Sequence, residues 1–267
     1  MFRNQTAIIT GASSGLGAAL ACELASQGAN LVLFSRREEK LKNTAGECEK
    51  LGARTLTVAG DVTIEGDCKR LIEASGSEFG GLDYLITNAG LSMWTKFEDV
   101  EDLTVYRRLM DTNYFGMLYC VFHALPDLRT SKGMVVAISS IQGKIGVPFH
   151  TGYVASKHAV EGFLASLRME LDGSGVEILS VLPHWLRGTD MRSRALGKDG
   201  KEIGQASRKH NDESISIDDC CKAITKAMKK RKRELILPTK LKFLPWLNLI
   251  HPGILETIVK WKVSDQD

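Results

Sequence analysis

Short apolar runs rich in β-branched and aromatic residues alternate along this chain with longer stretches whose apolar positions recur every three to four residues. The short runs predict strands at Thr6–Thr10, Asn30–Ser35, Thr55–Gly60, Tyr84–Thr87, Met134–Ser139, Glu177–Leu182 and Glu234–Pro238. The longer stretches predict helices near Gly15–Gln27, Glu38–Leu51, Ile64–Phe79, Val100–Leu125, Tyr153–Leu171 and Ile217–Lys230. The strand runs (AIIT, LVLFS, MVVAIS) carry almost no polar positions. That is the pattern of a parallel sheet covered by helices on both faces. Regular strand–helix alternation predicts an α/β fold with one doubly wound, seven-stranded parallel sheet. No linker interrupts it before residue 238, so residues 1–240 read as one domain and the apolar tail 241–267 as part of the same unit.

Two segments break the rhythm. From about Met191 to Ser216 the chain is polar, charged and glycine-containing, between the sixth and seventh predicted strands. A loop of that length in a compact domain usually serves as a functional lid or is disordered. After the last strand comes LKFLPWLNLIHPGILETIVKWK, an apolar stretch broken by two prolines and preceded by the basic run KAMKKRKR. The basic run suits the C-terminal end of a helix, where cations favour the macrodipole. The tail carries Trp246, Lys260, Trp261 and Lys262, and three readings stay open: a cover for a ligand entrance, a contact with a sister subunit, or a peripheral contact with a membrane surface.

Composition narrows the classes. The 267 residues are 43% hydrophobic and 25% charged, enough apolar material for a sizeable core. A net charge of +3 is too small for a nucleic-acid binder, which shows a strongly basic face. Six cysteines lie without disulfide-framework or metal-ligand spacing, so reduced, mostly buried thiols, no metal and a cytoplasmic setting are expected, with membrane association left open. The strand pattern starts at Thr6, leaving no room for a secretory leader, and no run of about 18 apolar residues offers a membrane-spanning helix.

The candidate chemistry begins directly after the first strand, at Thr10-Gly11-Ala12-Ser13-Ser14-Gly15-Leu16-Gly17. Glycines at a strand-to-helix turn let backbone N–H groups approach a pyrophosphate at the helix N-terminus. The glycine spacing alone is a weak signal, since a plain strand–helix turn can carry it; its place in the first βα unit is what points to a dinucleotide. Gly11, Ser13, Ser14, Gly15, Leu16 and Gly17 are therefore candidate cofactor contacts. The second strand ends Ser35-Arg36-Arg37 without a carboxylate. An acidic residue there suits the 2′-hydroxyl of NAD, whereas guanidiniums suit a 2′-phosphate. Arg36 and Arg37 thus favour NADP(H), against the alternative of two solvated residues at a helix start. Tyr153 and Lys157 are i and i+4 on a predicted helix and share a face. An ammonium beside a phenol, together with the positive nicotinamide of an oxidised cofactor, lowers the phenol's pKa, which would let Tyr153 act as general acid or base near neutral pH.

TGASSGLG, Asn88-Ala89-Gly90, Asn113, Ser140 and Tyr153-x-x-x-Lys157, in this order and spacing, resemble the short-chain dehydrogenase/reductase family over about residues 6–190. The resemblance implies a Rossmann-type fold and interconversion of a carbonyl and an alcohol. It implies Ser140 as the hydroxyl that holds the substrate oxygen, Tyr153 as the proton carrier, Lys157 as its helper and a ribose contact, and Asn113 as the anchor of a proton-relay water. It places Asp61 and Val62 at the adenine, Asn88, Ala89 and Gly90 beside it or in support of the sheet, and Pro183 at the nicotinamide. The family pattern after that proline is altered: His184 replaces a glycine, and Thr189 falls one residue late. Trp94, Gln142, His150 and His184, with Ser92, Met93, Ile141, Val147, Phe149 and Trp185, are candidate substrate-facing residues. Several are apolar, favouring a small hydrophobic carbonyl/alcohol substrate of steroid, lipid or aromatic type. His123 and His158 read as structural. The resemblance also implies a homodimer or homotetramer paired through the long fourth and fifth helices. A catalytically silent dinucleotide sensor or scaffold on the same fold is the alternative that the intact serine–tyrosine–lysine set opposes.

Overall fold

The computed structural model describes residues 2–204 and 214–264. Seven strands form one parallel sheet in the order β3 (Thr55–Ala59), β2 (Asn30–Ser35), β1 (Thr6–Thr10), β4 (Tyr84–Thr87), β5 (Met134–Ile138), β6 (Glu177–Pro183) and β9 (Glu234–Leu237). Two further two-residue strands, β7 (Leu186–Arg187) and β8 (Ile215–Ser216), pair outside it. This is the doubly wound sheet that the alternation predicts.

Successive residues of a central strand feed opposite cores, because side chains alternate across a sheet. Ile9 packs with Leu31, Leu33 and Val181 beneath the helices α1 (Gly15–Ala25), α2 (Glu38–Lys50) and α7 (Ile217–Lys229), which supply Leu20, Leu24, Leu41 and Ile224. Its neighbour Ile8 packs with Val32, Leu85 and Val135 on the other face. There α3 (Glu65–Phe79), α5 (Gly116–Ser131) and α6 (Thr151–Glu170) supply Leu71, Val121 and Leu164. Every residue of β1 is buried, which explains why the sequence run is apolar throughout rather than alternating.

The strand order reverses between β1 and β4, and each pairs with the other in register, Ile8 opposite Leu85. Chains leaving the two strands turn to opposite faces, so a crevice opens at their C-terminal ends. The glycine turn enters it from β1 and Asn88-Ala89-Gly90 from β4.

The long helix expected over Val100–Leu125 is divided. It runs as α4 (Thr104–Met110), a π-helical turn at Asp111–Phe115 and then α5, which continues past Pro126 to Ser131. A wide turn of this kind aims a side chain that a regular helix would direct elsewhere, and it often marks a functional position. Asn113 sits within it.

The six cysteines are all unpaired, five of them buried and Cys22 half-buried. His158 bonds its own helix, Nδ1 to the Val154 carbonyl at 2.9 Å, and His123 lies 3.3 Å from Glu65 on α3. The tail folds back as α8 (Leu244–Ile250) and α9 (Pro252–Ser264). Leu241 and Leu255 pack there against Ile145, Leu182 and Ile236 beside the edge strand β9. Among the described residues no helix is long and apolar enough to cross a membrane. Part of the expected lid, residues 205–213, lies outside the described residues.

Candidate active site

The glycine turn is shaped by two close approaches. Gly11 has φ +67°, and a Cβ there would stand 2.9 Å from the Cα of Ala89. A Cβ on Gly17 would stand 2.5 Å from both the Asn88 amide nitrogen and the Gly11 carbonyl oxygen. Asn88 then laces β4 to β1: its Nδ2 donates to the Thr10 carbonyl at 2.9 Å, and the backbone N–H groups of Asn88 and Ala89 donate to Thr10 Oγ1 at 3.0 Å. Gly17 is therefore a packing glycine that lets helix and strand approach, and it does not line the cleft. Gly11, Ser13, Ser14, Gly15 and Leu16 do line it, with Asp61, Val62, Ala89 and Gly90 on the facing wall. At the start of α1 no side chain caps the first amides, since Ser14 makes no cap hydrogen bond. Uncapped N–H groups and a glycine floor fit the pyrophosphate of a dinucleotide.

The two arginines after β2 do different things. Arg37 turns inward, donating to Ser13 Oγ through Nε and Nη2 (3.2 and 2.9 Å) and to Ser14 Oγ at 2.6 Å. Arg36 points out, its side chain 63% exposed, and pairs with Asp61 at 3.4 Å. Burial and the neighbouring cations Arg194 and Arg36 pull Arg37 below the usual guanidinium pKa, with Asp190 and Glu202 opposing. A concentration of positive charge at this end of the cleft favours an anionic ligand group.

Ser140, Tyr153 and Lys157 meet at the bottom of the cleft, each less than a tenth exposed. Ser140 stands at the end of β5 and the start of a short 3-10 turn, where its Oγ accepts from Gln142 N at 3.2 Å. Tyr153 and Lys157 extend from one face of α6. The Lys157 ammonium donates to the Ile138 carbonyl at 2.9 Å and stands 5.7 Å from the centre of the Tyr153 ring. In the protein by itself, burial outweighs the ammonium at this tyrosine. Burial pushes Tyr153 up to about 12, with a hydrogen bond to Ser140 opposing the rise. Burial also pulls Lys157 down to about 8, against the field of Glu161. Desolvation penalises both charged forms.

Asn113 is 3% exposed and its side chain is fully used. Oδ1 accepts from Leu91 N at 2.8 Å, while Nδ2 donates to the Leu91 carbonyl (2.9 Å) and to Ser156 Oγ (2.8 Å), which in turn donates to the Tyr153 carbonyl. The expected water anchor is thus, in its side chain, a tie between the loop after β4 and the helix bearing Tyr153.

Above this floor stand Trp94, His150, His184 and Trp185, with Gln142, Ser92, Met93 and Pro183 also lining the cleft. His150 contacts Trp94 edge-on at 4.7 Å and lies 6.2 Å from the Tyr153 ring and 5.8 Å from Trp185. Phe149 stacks behind Trp94 at 5.0 Å, while Ile141 and Val147 face the tail cluster; none of these three lines the cleft. The chain after His184 crosses over the cleft. Thr189 rests 3.8 Å from where a Gly15 Cβ would be, and Leu196 bridges to Met93.

The short chain dehydrogenase family pattern matches residues 5–199. This chain belongs to that family. It is 38% identical over 197 residues to a Pinus massoniana protein called 11-beta-hydroxysteroid dehydrogenase, a match over 73% of this chain and 55% of that one. It is 34% identical over 252 residues to the Arabidopsis thaliana 11-beta-hydroxysteroid dehydrogenase-like 4A, covering 93% of this chain and 81% of the relative. Among solved structures, an alcohol dehydrogenase from Thermococcus sibiricus complexed with 5-hydroxy-NADP superposes with a TM-score of 0.75 at 22% identity, covering 87% and 95% of the two chains. At that identity the likeness concerns the fold. The motifs of a short-chain dehydrogenase do not reveal which residues of the cover line the cleft: Met191, Arg192, Arg194, Ala195 and Ile203 do so. Their only trace in the sequence is the polar run after β6.

Proposed function

We propose that the chain is an NADP(H)-dependent oxidoreductase that interconverts a carbonyl and a secondary alcohol on a hydrophobic substrate. The observation that carries this reading is the meeting of Ser140, Tyr153 and Lys157 at the buried end of a cleft whose other end is the glycine turn and Arg37. Bound NADP(H) would supply the hydride to the carbonyl carbon or take it from the alcohol. Tyr153 moves the proton: its hydroxyl, held protonated by burial, donates to the substrate oxygen during reduction. Ser140 Oγ bonds the same oxygen and stabilises the charge that develops on it. Lys157, still a cation at pH 7, offsets the negative charge left on the tyrosine and is held in place by the Ile138 carbonyl. Asn113 fixes the distance between the β4 loop and α6.

NADP(H) in preference to NAD(H) rests on Arg37, with Arg36 as a weaker outer charge, and the NADP derivative in the Thermococcus relative is consistent with it. The names of the plant relatives and the lining by Leu91, Met93, Trp94 and Trp185 favour a steroid-sized apolar alcohol or ketone. Pairing through α5 and α6, where Phe122 and Met169 are exposed, and membrane contact through Trp246, Leu249, Ile250 and Trp261 remain parts of the proposal.

The test is Tyr153→Phe, assayed by NADPH absorbance against a panel of ketosteroids, retinals and aromatic ketones. Turnover by the wild type and a loss of about 10³-fold in the variant, with NADPH binding retained, is the expected result. Wild type that binds NADPH and turns over nothing would favour the sensor or scaffold reading.

A further inference from the structure

Among the described residues four guanidiniums line the cleft, and three of them have hydrogen-bond or ion-pair partners. Arg36 has Asp61, Arg37 has Ser13 and Ser14, and Arg194 donates from Nε to Glu202 at 3.3 Å. Among the described residues Arg192 has no hydrogen-bond partner: its Nη1 and Nη2 are both shielded from solvent and make no hydrogen bond. Its guanidinium lies over the Trp185 ring, Cζ 4.2 Å from the ring centre. That stacking satisfies the cation's face, yet it leaves the N–H donors at the rim without an acceptor. Burial draws the Arg192 pKa downward, and no carboxylate acts to raise it. A cation whose donor nitrogens are shielded from water and unmet is costly unless a ligand completes it.

The position of Arg192 indicates which ligand. Trp185 touches His150, and His150 is 6.2 Å from Tyr153, so the guanidinium stands on the aromatic wall at the proton-transfer end. The pyrophosphate turn lies instead under Thr189, which occupies the space over Gly15. The wall above the floor is mainly apolar, from Leu91, Met93, Trp94 and Trp185, with His150, His184, Gln142 and Ser92 as its polar members.

We infer that Arg192 is a specificity-determining residue that binds a carboxylate on the substrate, so that the preferred substrate is an apolar ketone or alcohol bearing an acidic group remote from the reacting carbon. This rests on the oxidoreductase reading and narrows its substrate class. A planar guanidinium presents two parallel N–H groups to a carboxylate, a geometry that neither an ester nor a hydroxyl can complete.

The experiment uses ω-benzoylalkanoic acids of increasing chain length and their methyl esters. Each is measured twice: for binding to the wild-type protein by calorimetry with NADP+ present, and for NADPH-dependent turnover. At one or more chain lengths the acid is expected to bind about 10- to 100-fold more tightly than its ester, the range for a charge-assisted pair. Arg192→Gln is expected to remove that preference while leaving the ester unchanged, and Arg192→Lys to restore part of it. Melting temperatures of both variants check that the fold is intact, and Arg192→Met, which keeps the stem over Trp185, guards against lost stacking. No acid-over-ester preference at any chain length, or equal losses for acid and ester in Arg192→Gln, overturns the inference. So does a fall in NADPH affinity in Arg192→Gln with the acid preference intact, which would assign the guanidinium to the dinucleotide's phosphates. Binding with acid preference but without turnover would leave this inference standing and sink the oxidoreductase reading instead.

Discussion

The two ends of the cleft are built in different ways. At the dinucleotide end, the turn after β1 and the loop after β4 are locked by backbone proximity. Gly11 lies against Ala89, Gly17 lies against Asn88, and Asn88 is bonded to Thr10. At the other end, single backbone hydrogen bonds join the segments, such as Trp94 N to the Leu196 carbonyl and Ile215 N to the Trp185 carbonyl, and the wall itself is made by side chains: Trp94 from the loop after β4, His150 before α6, Trp185 after β6 and Arg192 from the cover. At the first end, Gly11 and Gly17 cannot gain a side chain without moving their neighbours. The second can change its side chains and so its specificity, which is how one fold serves many substrates.

Tyr153→Phe should strike hardest, because the proton carrier belongs to the part both ends share; a loss in kcat of about 10³-fold with NADPH binding kept would mark it as chemistry rather than scaffold. Next in size is a pH effect on the ligand-free protein. Lys157 is drawn from 10.5 to about 8 on folding, so between those values the unfolded chain holds a proton that the folded one has released. Stability therefore rises with pH across that window. Tyr153 works the other way, its folded value near 12 against 10.0 unfolded, so its contribution falls away above pH 10. Lys157→Met should flatten the rise from pH 8 to pH 10 by an amount on the order of 2–3 kcal/mol, read from urea midpoints; an unchanged slope would mean that the burial of the ammonium is relieved by water.

Arg37→Ala should weaken NADPH relative to NADH by about 10- to 100-fold in fluorescence titrations, the worth of a charge-assisted contact. Arg36→Ala should do less, because that guanidinium is already exposed and paired. An equal effect of the two would erase the distinction between inner and outer arginine. Gly17→Ala forces a methyl to within 2.5 Å of Asn88 and should cost about 1–3 kcal/mol in denaturant unfolding. Gly46→Ala, on α2 where a Cβ meets nothing within 4 Å, should instead stabilise by about 0.5–1 kcal/mol. If both glycines tolerated alanine equally, the dinucleotide end would be less tightly locked than its distances indicate.

Much of this molecule is legible in the sequence, and the reason is periodicity. A strand buried on both faces must be apolar at every position, so MVVAI and LVLFS declare themselves, and their alternation with amphipathic stretches fixes a doubly wound sheet. Tyr153 and Lys157 are legible because four residues on a helix place two side chains on one face whatever the rest of the chain does. The glycine turn is legible because only glycine fits where two backbones nearly touch. The tertiary structure decided what depends on distances between segments remote in the chain. It divided the predicted helix at Asp111–Phe115 and so committed Asn113 to Leu91 and Ser156. It sent Arg37 inward and Arg36 outward, a choice no adjacent-residue pattern contains. It set how deeply Tyr153 is buried and so how far its pKa rises in the protein by itself, because desolvation depends on everything that surrounds a group and not only on its neighbour along the helix. And it laid Arg192 over Trp185 with its Nη donors shielded and unmet among the described residues, a placement that the expectation of a lid over this stretch does not contain.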